Sequence, residues 1–371
     1  MTTVLRASGS ADLLRLVPSL AGFTPSESIV LLPFQGSRTS GAMRLDLPDA
    51  GIGLEEYADA AVGLVARVER TDAVAVIVYT STECEATRDG LVVPFAVAVD
   101  ELLGRAVDTG LRIVDALCVT PEGWVSYLDD EPELNEMSTD VPVVPGIGDV
   151  SGDQLAGTAL PHADLAEKER VARALIELER LLGPAAHGTG LARENPQAIA
   201  ALVLLEDVPA FFESVLAAPD DLPPFATAAL LWCLGRPLFR DVALTQWASD
   251  LAGGARTLDA QLAFSRTRAG IPEDIGDVFI GRGPAPDPDR LRVALDVVRA
   301  AAARAPRASR PAPLTAAAWL SWALGRSSHA GHYLERVAEI DADYGLAVLL
   351  SSMISSAVLP EWSFRRAGAA G

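Results

Sequence analysis

Cysteine is scarce. The 371 residues hold three, Cys84, Cys118 and Cys233, and no two stand in C-x-x-C spacing. That excludes a disulfide framework and a zinc site of the usual paired kind, so reduced and mostly buried thiols are expected. Histidine is nearly as rare, with four residues, which leaves few candidates for a general base. Positive charge is short too: 30 Lys and Arg stand against 50 Asp and Glu, a net charge of −20 and a pI of about 4.6. A nucleic-acid binder needs a cationic footprint to displace counterions, and an anionic membrane repels such a chain, so neither is expected as a partner. Cationic partners are weakly favoured. No apolar run reaches the roughly 18–20 residues that span a bilayer, and no charged start leads into a short apolar stretch and cleavage site. A cytoplasmic location is the expectation.

Motifs that bind cofactors or carry nucleophiles are missing as well. There is no G-x-x-x-x-G-K-[ST] for a phosphate-cradling loop and no G-x-S-x-G elbow for a hydrolase. Gly146-Ile147-Gly148 with Gly152 imitates a dinucleotide fingerprint, but its spacing is wrong and no strand feeds it. No cofactor is expected.

What is present is core-forming material. Half the residues are hydrophobic and mean hydropathy is +0.25, so the length points to two or three packed domains rather than disorder. Leu13, Leu14, Leu16, Val17 and Leu20 form a helical stripe ended by Gly22. Thr24-Pro25-Ser26-Glu27 has turn chemistry, Ile29 to Leu32 reads as a strand buried on both faces, and Met43 to Pro48 alternates as a second strand. A helix over Leu54 to Val68, a strand over Ala73 to Tyr79, a helix over Leu91 to Val107 and a strand over Leu111 to Val119 follow. Trp124 to Leu128 supplies a short antiparallel partner. Strands alternating with helices at these distances predict β-α-β units, hence a mixed, largely parallel sheet with flanking helices over residues 1–160. Asp129 to Leu160 reads as a long loop that joins the domains or wraps the sheet.

Residues 161–371 are helical in pattern, with a possible sub-boundary near 284–313. Asp164 and Glu167 have capping-box spacing, and Asn195-Pro196 is a cap followed by proline at the first helical position. Helices are predicted over Val208 to Leu216, Asp221 to Leu234, Arg240 to Leu251, Leu258 to Arg268 and Asp289 to Arg304. Arg304, Arg307 and Arg310 then stand among Ala and Pro, as solvated linker residues or as an anion-binding patch. Ala316 to Leu324, Tyr333 to Ile340 and Ala342 to Ile354 look like one tetratricopeptide-type hairpin and the start of another, which makes this domain repeat-like.

Several stretches together resemble an actinobacterial family, the domain of unknown function 4192. They are Val17-Pro18-Ser19-Leu20-Ala21-Gly22-Phe23-Thr24-Pro25-Ser26-Glu27-Ser28, Arg44-Leu45-Asp46-Leu47-Pro48, Val78-Tyr79-Thr80, Asp115-Ala116-Leu117 with Trp124 and Ser126, Ala318-Trp319-Leu320-Ser321-Trp322, Leu334-Glu335-Arg336 and Asp341-Ala342-Asp343-Tyr344. Members of that family often carry a cysteine pair after the Trp-x-Ser strand. Tyr127 to Glu136 has none here, so the resemblance brings no metal or redox role with it. Nor does it bring an agreed activity.

Candidate binding residues come from topology. Ligands of open α/β sheets sit beyond the carboxyl ends of parallel strands, which singles out Arg44, Asp46, Tyr79 and Thr80, with Glu83 and Glu85 downstream. Asp115, in mid-strand, would be a buried carboxylate in need of a partner. Arg44 and Asp46 equally suit a structural ion pair. His329, His332 and Glu335 have ligand types suited to zinc, against the simpler reading of a polar helix start, and no metal site is assigned. Trp124, Trp319 and Trp322 suit a core better than a stacking platform. Two functions stay open. One is a non-enzymatic interaction or regulatory module whose helical domain takes a protein or peptide. The other is an enzyme acting on a small polar or cationic metabolite at the sheet edge.

Overall fold

The computed structural model describes residues 6–39, 41–49, 51–88, 90–137, 149–183, 194–220 and 222–365. The chain divides into two compact units, Met1–Ala156 with Phe364–Gly371, and Gly157–Ser363.

The first unit contains β1 (Ser28–Gln35), β2 (Arg38–Thr39), β3 (Met43–Asp46), β4 (Ala73–Tyr79), β5 (Glu85–Thr87), β6 (Gly90–Val92), β7 (Arg112–Thr120) and β8 (Gly123–Ser126). Its helices are α1 (Ser10–Ala21), α2 (Leu54–Ala66) and α3 (Ala96–Asp108). The main sheet runs β2-β1-β4-β7-β8 with β3 also on β1, and β5 and β6 form a separate ribbon. All seven residues of β4 are buried, because helices cover both faces. Val30, Leu32, Ala75, Ile77 and Leu117 meet Leu13, Leu14 and Val17 of α1. On the other face Ile29, Leu31, Val74, Val76 and Val78 meet Ala61, Val65, Val99 and Leu102 of α2 and α3.

The sheet is mixed, as the pattern predicted, but its parallel share is smaller. Among the described residues only β4 and β7 pair in parallel; β1 is antiparallel to both β3 and β4. The crossovers β3-α2-β4 and β4-α3-β7 do leave β3, β4 and β7 running alike, and β1, which folds back against β3, separates the first two. Apolar residues 91–95, predicted as part of a helix, instead lie in β6 and in a turn where Phe95 has φ of 59°, and α3 starts after it. Asn135 pairs with Trp124, so the long loop begins as an extension of the sheet.

The second unit contains α4 (Leu165–Leu182), α5 (Pro196–Leu204), α6 (Val208–Ala217), α7 (Pro224–Leu234), α8 (Pro237–Ala248), α9 (Leu251–Thr267), α10 (Glu273–Phe279), α11 (Pro288–Arg304), α12 (Pro311–Ala323), α13 (Ser327–Ala338) and α14 (Gly345–Ser355). Helix starts follow local chemistry. The Asp164 carboxylate accepts the Glu167 N–H at 2.7 Å while Glu167 accepts the Asp164 N–H at 3.1 Å. Asn195, Asp207, Asp250 and Asp287 cap α5, α6, α9 and α11 with their side chains. Every residue of α12 is buried, Pro311 and Pro313 included. The stretch expected to be a linker is therefore a short turn and then the first turn of a core helix, where proline is tolerated because its missing N–H has no intrahelical partner anyway. The α12–α13 hairpin of the repeat-like reading is present. A helix apolar on all sides must be enclosed, however, and α12 sits inside a bundle rather than in one layer of a solenoid.

Candidate functional site

Three strand ends meet at one edge of the sheet. Ser28, the first residue of β1, is in register with Asp46 of β3 on one side and Tyr79 of β4 on the other. Residues in register across a ladder point to the same face, so Asp46, Ser28 and Tyr79 share the α1 side. Arg44, two residues before Asp46, shares it too, and its Nη2 lies 2.6 Å from the Asp46 carboxylate. The arginine side chain is 15% exposed and the aspartate 85%. The carboxylate therefore stands in water, held by a cation rooted in the sheet.

The neighbouring hydroxyls are committed differently. Tyr57 donates to the main-chain oxygen of Asp46 at 2.7 Å, and burial, followed by the Asp46 charge, pushes its phenol up. Burial alone pushes up the Tyr79 phenol, so Tyr79 is a neutral hydrogen-bonding group. Thr80 donates its N–H to Val119 at 3.1 Å, and its hydroxyl accepts the Thr82 N–H at 3.0 Å, which turns the chain after β4.

Two residues at this edge were not among the predicted ones. Glu27 sits at φ of 42°, and its carboxylate accepts the Ser81 N–H at 2.5 Å, tying the start of β1 to the end of β4. Ser28 is fully buried, and its hydroxyl has no hydrogen-bond partner. The turn around Pro25 was legible, but which hydroxyl it buries depends on strand register. The loop beyond Val150 clasps the same turn: Thr24 donates through its N–H to Gly152 and through its hydroxyl to Val150, at 2.8 and 2.7 Å. Gln154 both accepts from Ser26 and donates back to its carbonyl, at 3.2 and 3.1 Å.

Asp115 lies elsewhere. It pairs with Ala75, four residues before Tyr79, because Val114 is bulged out of the ladder. Its carboxylate accepts from the Ser10 hydroxyl at 2.7 Å and the Ala116 N–H at 3.0 Å, at the start of α1, where the helix dipole favours negative charge. Asp115 is a partnered carboxylate under a helix N-terminus and is not brought together with Arg44, Asp46, Tyr79 and Thr80.

The other sequence candidates are placed as follows. His329, His332 and Glu335 lie three residues apart along α13, which spreads the first and last by about 120° around the axis. No group of three His, Cys, Asp or Glu able to hold a metal occurs among the described residues. His187 and the Gly146-Ile147-Gly148 stretch lie outside the described residues. Trp319 and Trp322 are fully buried and donate their indole N–H groups to Phe279 and Val358, while Trp124 packs against the α1-side core. Arg304, Arg307 and Arg310 each donate to main-chain carbonyls, of Leu222, Glu339 and Ala305. Those bonds replace the free solvation that a linker would allow. On α2 and α3 a shallow groove of about 470 Å³ is lined by Glu55, Asp100, Glu101 and Asp108 beside Val97.

A mixed α/β sheet followed by a helical bundle, with charged residues tied into the framework at the strand ends, defines a class of architecture and no reaction. Residues 11–270 match the family described as "Domain of unknown function (DUF4192)", and the chain belongs to that family. The matched range runs from α1 to the end of α9, so Trp319, Trp322 and the hairpin around them lie beyond it. No curated protein and no solved structure matches the chain.

Proposed function

We propose that the protein is a non-enzymatic interaction or regulatory module of the cytoplasm whose helical unit takes a protein or peptide partner. The observation that carries this reading is α14. Its sequence, GLAVLLSSMIS, is as free of charge as the enclosed α7 and α12. Yet Ala347 and Leu350 face the core while Val348 and Leu349 stand 49% and 63% exposed. The exposed side carries Ser351, Ser352 and Ser355 and no charge, so Val348 and Leu349 form an apolar spot that a partner would cover. The absence of any helix long and apolar enough to cross a membrane, among the described residues, fits the location. The test is a photo-crosslinking residue at position 349 in the native cell. A discrete adduct that is lost on Val348→Asp, with the melting temperature unchanged, is the expected result; no adduct overturns the reading.

The second reading, an enzyme for a small polar or cationic metabolite at the sheet edge, has one observation in its favour: the buried, unpartnered Ser28 hydroxyl between Asp46 and Tyr79. Against it, the Asp46 carboxylate is neutralised by Arg44 and lies in solvent, where a fixed charge is worth least.

A further inference from the structure

A helix end that its own chain leaves uncovered, with apolar side chains and charges of one sign, is a surface shaped for contact. The C-terminal half of α9 is such a surface. The buried residues of this helix, Gly253, Gly254 and Thr257, all lie in its first half. Residues 263–274 are all exposed, Phe264 and Ile271 among them. Arg268 closes the helix at φ of 57°, with its guanidinium 5.3 Å from the centre of the Phe264 ring. Arg256, earlier on α9, is paired with Asp274 at 3.2 Å. Arg266 and Arg268 have no carboxylate partner among the described residues, and residues 260–272 contain no acidic residue. Arginine in a last helical turn suits the helix dipole, but the dipole gives no reason for Phe264 and Ile271 to face water.

The α/β unit carries the complement. The groove on α2 and α3 is lined by Glu55, Asp100, Glu101 and Asp108, and none of the four has an ion-pair partner among the described residues. The arginine in its lining, Arg105, is already committed to Asp59 at 2.5 Å. Val97 stands 72% exposed at the same place, and Val97, Glu101 and Asp108 recur on one face of α3 at i, i+4 and i+11. Carboxylates around a concave surface reinforce one another, because a cleft focuses their field. An acidic rim alone would take any cation. The exposed valine beside it selects a cation that arrives with an apolar neighbour, and the end of α9 supplies both.

We propose that the end of α9 in one copy of the chain docks in the α2–α3 groove of a second copy, with Arg266 and Arg268 among the carboxylates and Phe264 against Val97. Guanidinium forks suit this role, since each can meet two carboxylate oxygens at once. The contact joins two different surfaces and is heterologous: reciprocal docking closes a dimer, and one-way docking builds a ring or a chain. It does not involve the exposed face of α14, so its failure would leave the reading of that face untouched.

Sedimentation equilibrium of the full chain over a concentration series tests this. At about 0.1 M sodium chloride the repulsion between whole molecules is screened beyond roughly 10 Å, while charges in contact still attract. Mass should rise with concentration. Arg266→Glu with Arg268→Glu should weaken association about tenfold, and Glu101→Arg with Asp108→Arg should do the same. Mixing the two charge-reversed proteins should restore association, because a native arm then meets a native groove and a reversed arm a reversed groove. A chain that stays monomeric, association that survives either reversal, or a mixture that fails to associate overturns the proposal. So does association abolished by Val348→Asp, which would place the contact on α14.

Discussion

Asp46 shows how little a sequence position reveals about what a charge does. Its place at a strand end nominated it for binding, while its 85% exposure and its contact with Arg44 make it one half of a surface ion pair. Such pairs contribute about 0–1 kcal/mol, so Asp46→Ala should lower the unfolding free energy read from urea titration by no more than that. A loss of several kcal/mol would mean that the carboxylate does more than pair. The three cysteines make a second prediction at this scale. Burial raises the Cys118 thiol to about 11 and pushes the Cys233 thiol up as well, and neither is accessible. Iodoacetamide at neutral pH should therefore label Cys84 slowly and the other two only after denaturation, as read by peptide mass. The expectation of buried thiols came from rarity and spacing alone, and it holds for two of the three.

At the level of elements, the helical bundle is clamped where α6, α8, α9 and α11 converge. Arg290 reaches both carboxylate oxygens of Glu213, at 2.7 and 2.6 Å, and the buried Gln246 donates to Glu213 and to the Pro209 carbonyl. The Arg290 hydrogen bonds hold the Glu213 carboxyl below its ordinary value. A depressed carboxyl stabilises the fold above its unfolded pKa, about 4.3, and that contribution is lost as pH falls through the folded value. Glu213→Gln should thus cost about 1 kcal/mol near neutrality, allowing for solvent screening of the partly exposed carboxylate, and progressively less in urea titrations toward pH 3. Gly254 of α9 lies against this clamp. A Cβ there would stand 2.1 Å from Oε1 of Gln246, so Gly254→Ala should lose about 1–3 kcal/mol by overpacking. Nothing in the sequence marks Gly254, since its φ is ordinary and only the approach of α8 forbids a side chain.

For the whole molecule, the acidic balance is uneven. The α/β unit holds 25 acidic and 11 basic residues, a charge of −14, and the helical unit 25 and 19, a charge of −6. Like charges at this density oppose compaction, and salt screens them over about 10 Å at 0.1 M. The melting temperature should rise by a few degrees between 10 and 200 mM sodium chloride. A fall on adding salt would show that attractive pairs outweigh the repulsion.

The sequence by itself determined the elements and their order. Apolar periodicity, capping residues such as Asp164 and helix-opening prolines act within a few residues of chain, and β4 and α4 follow from them almost to the residue. Tertiary structure decided the direction of β1, the bulge at Val114 that seats Asp115 under α1, the enclosure of α12, and the approach of Gln246 that bars a side chain at Gly254. Each of these depends on which distant segment supplies a hydrogen-bond ladder, a covering face or a counter-charge. Such partners are set by packing across the fold, and no local pattern encodes them.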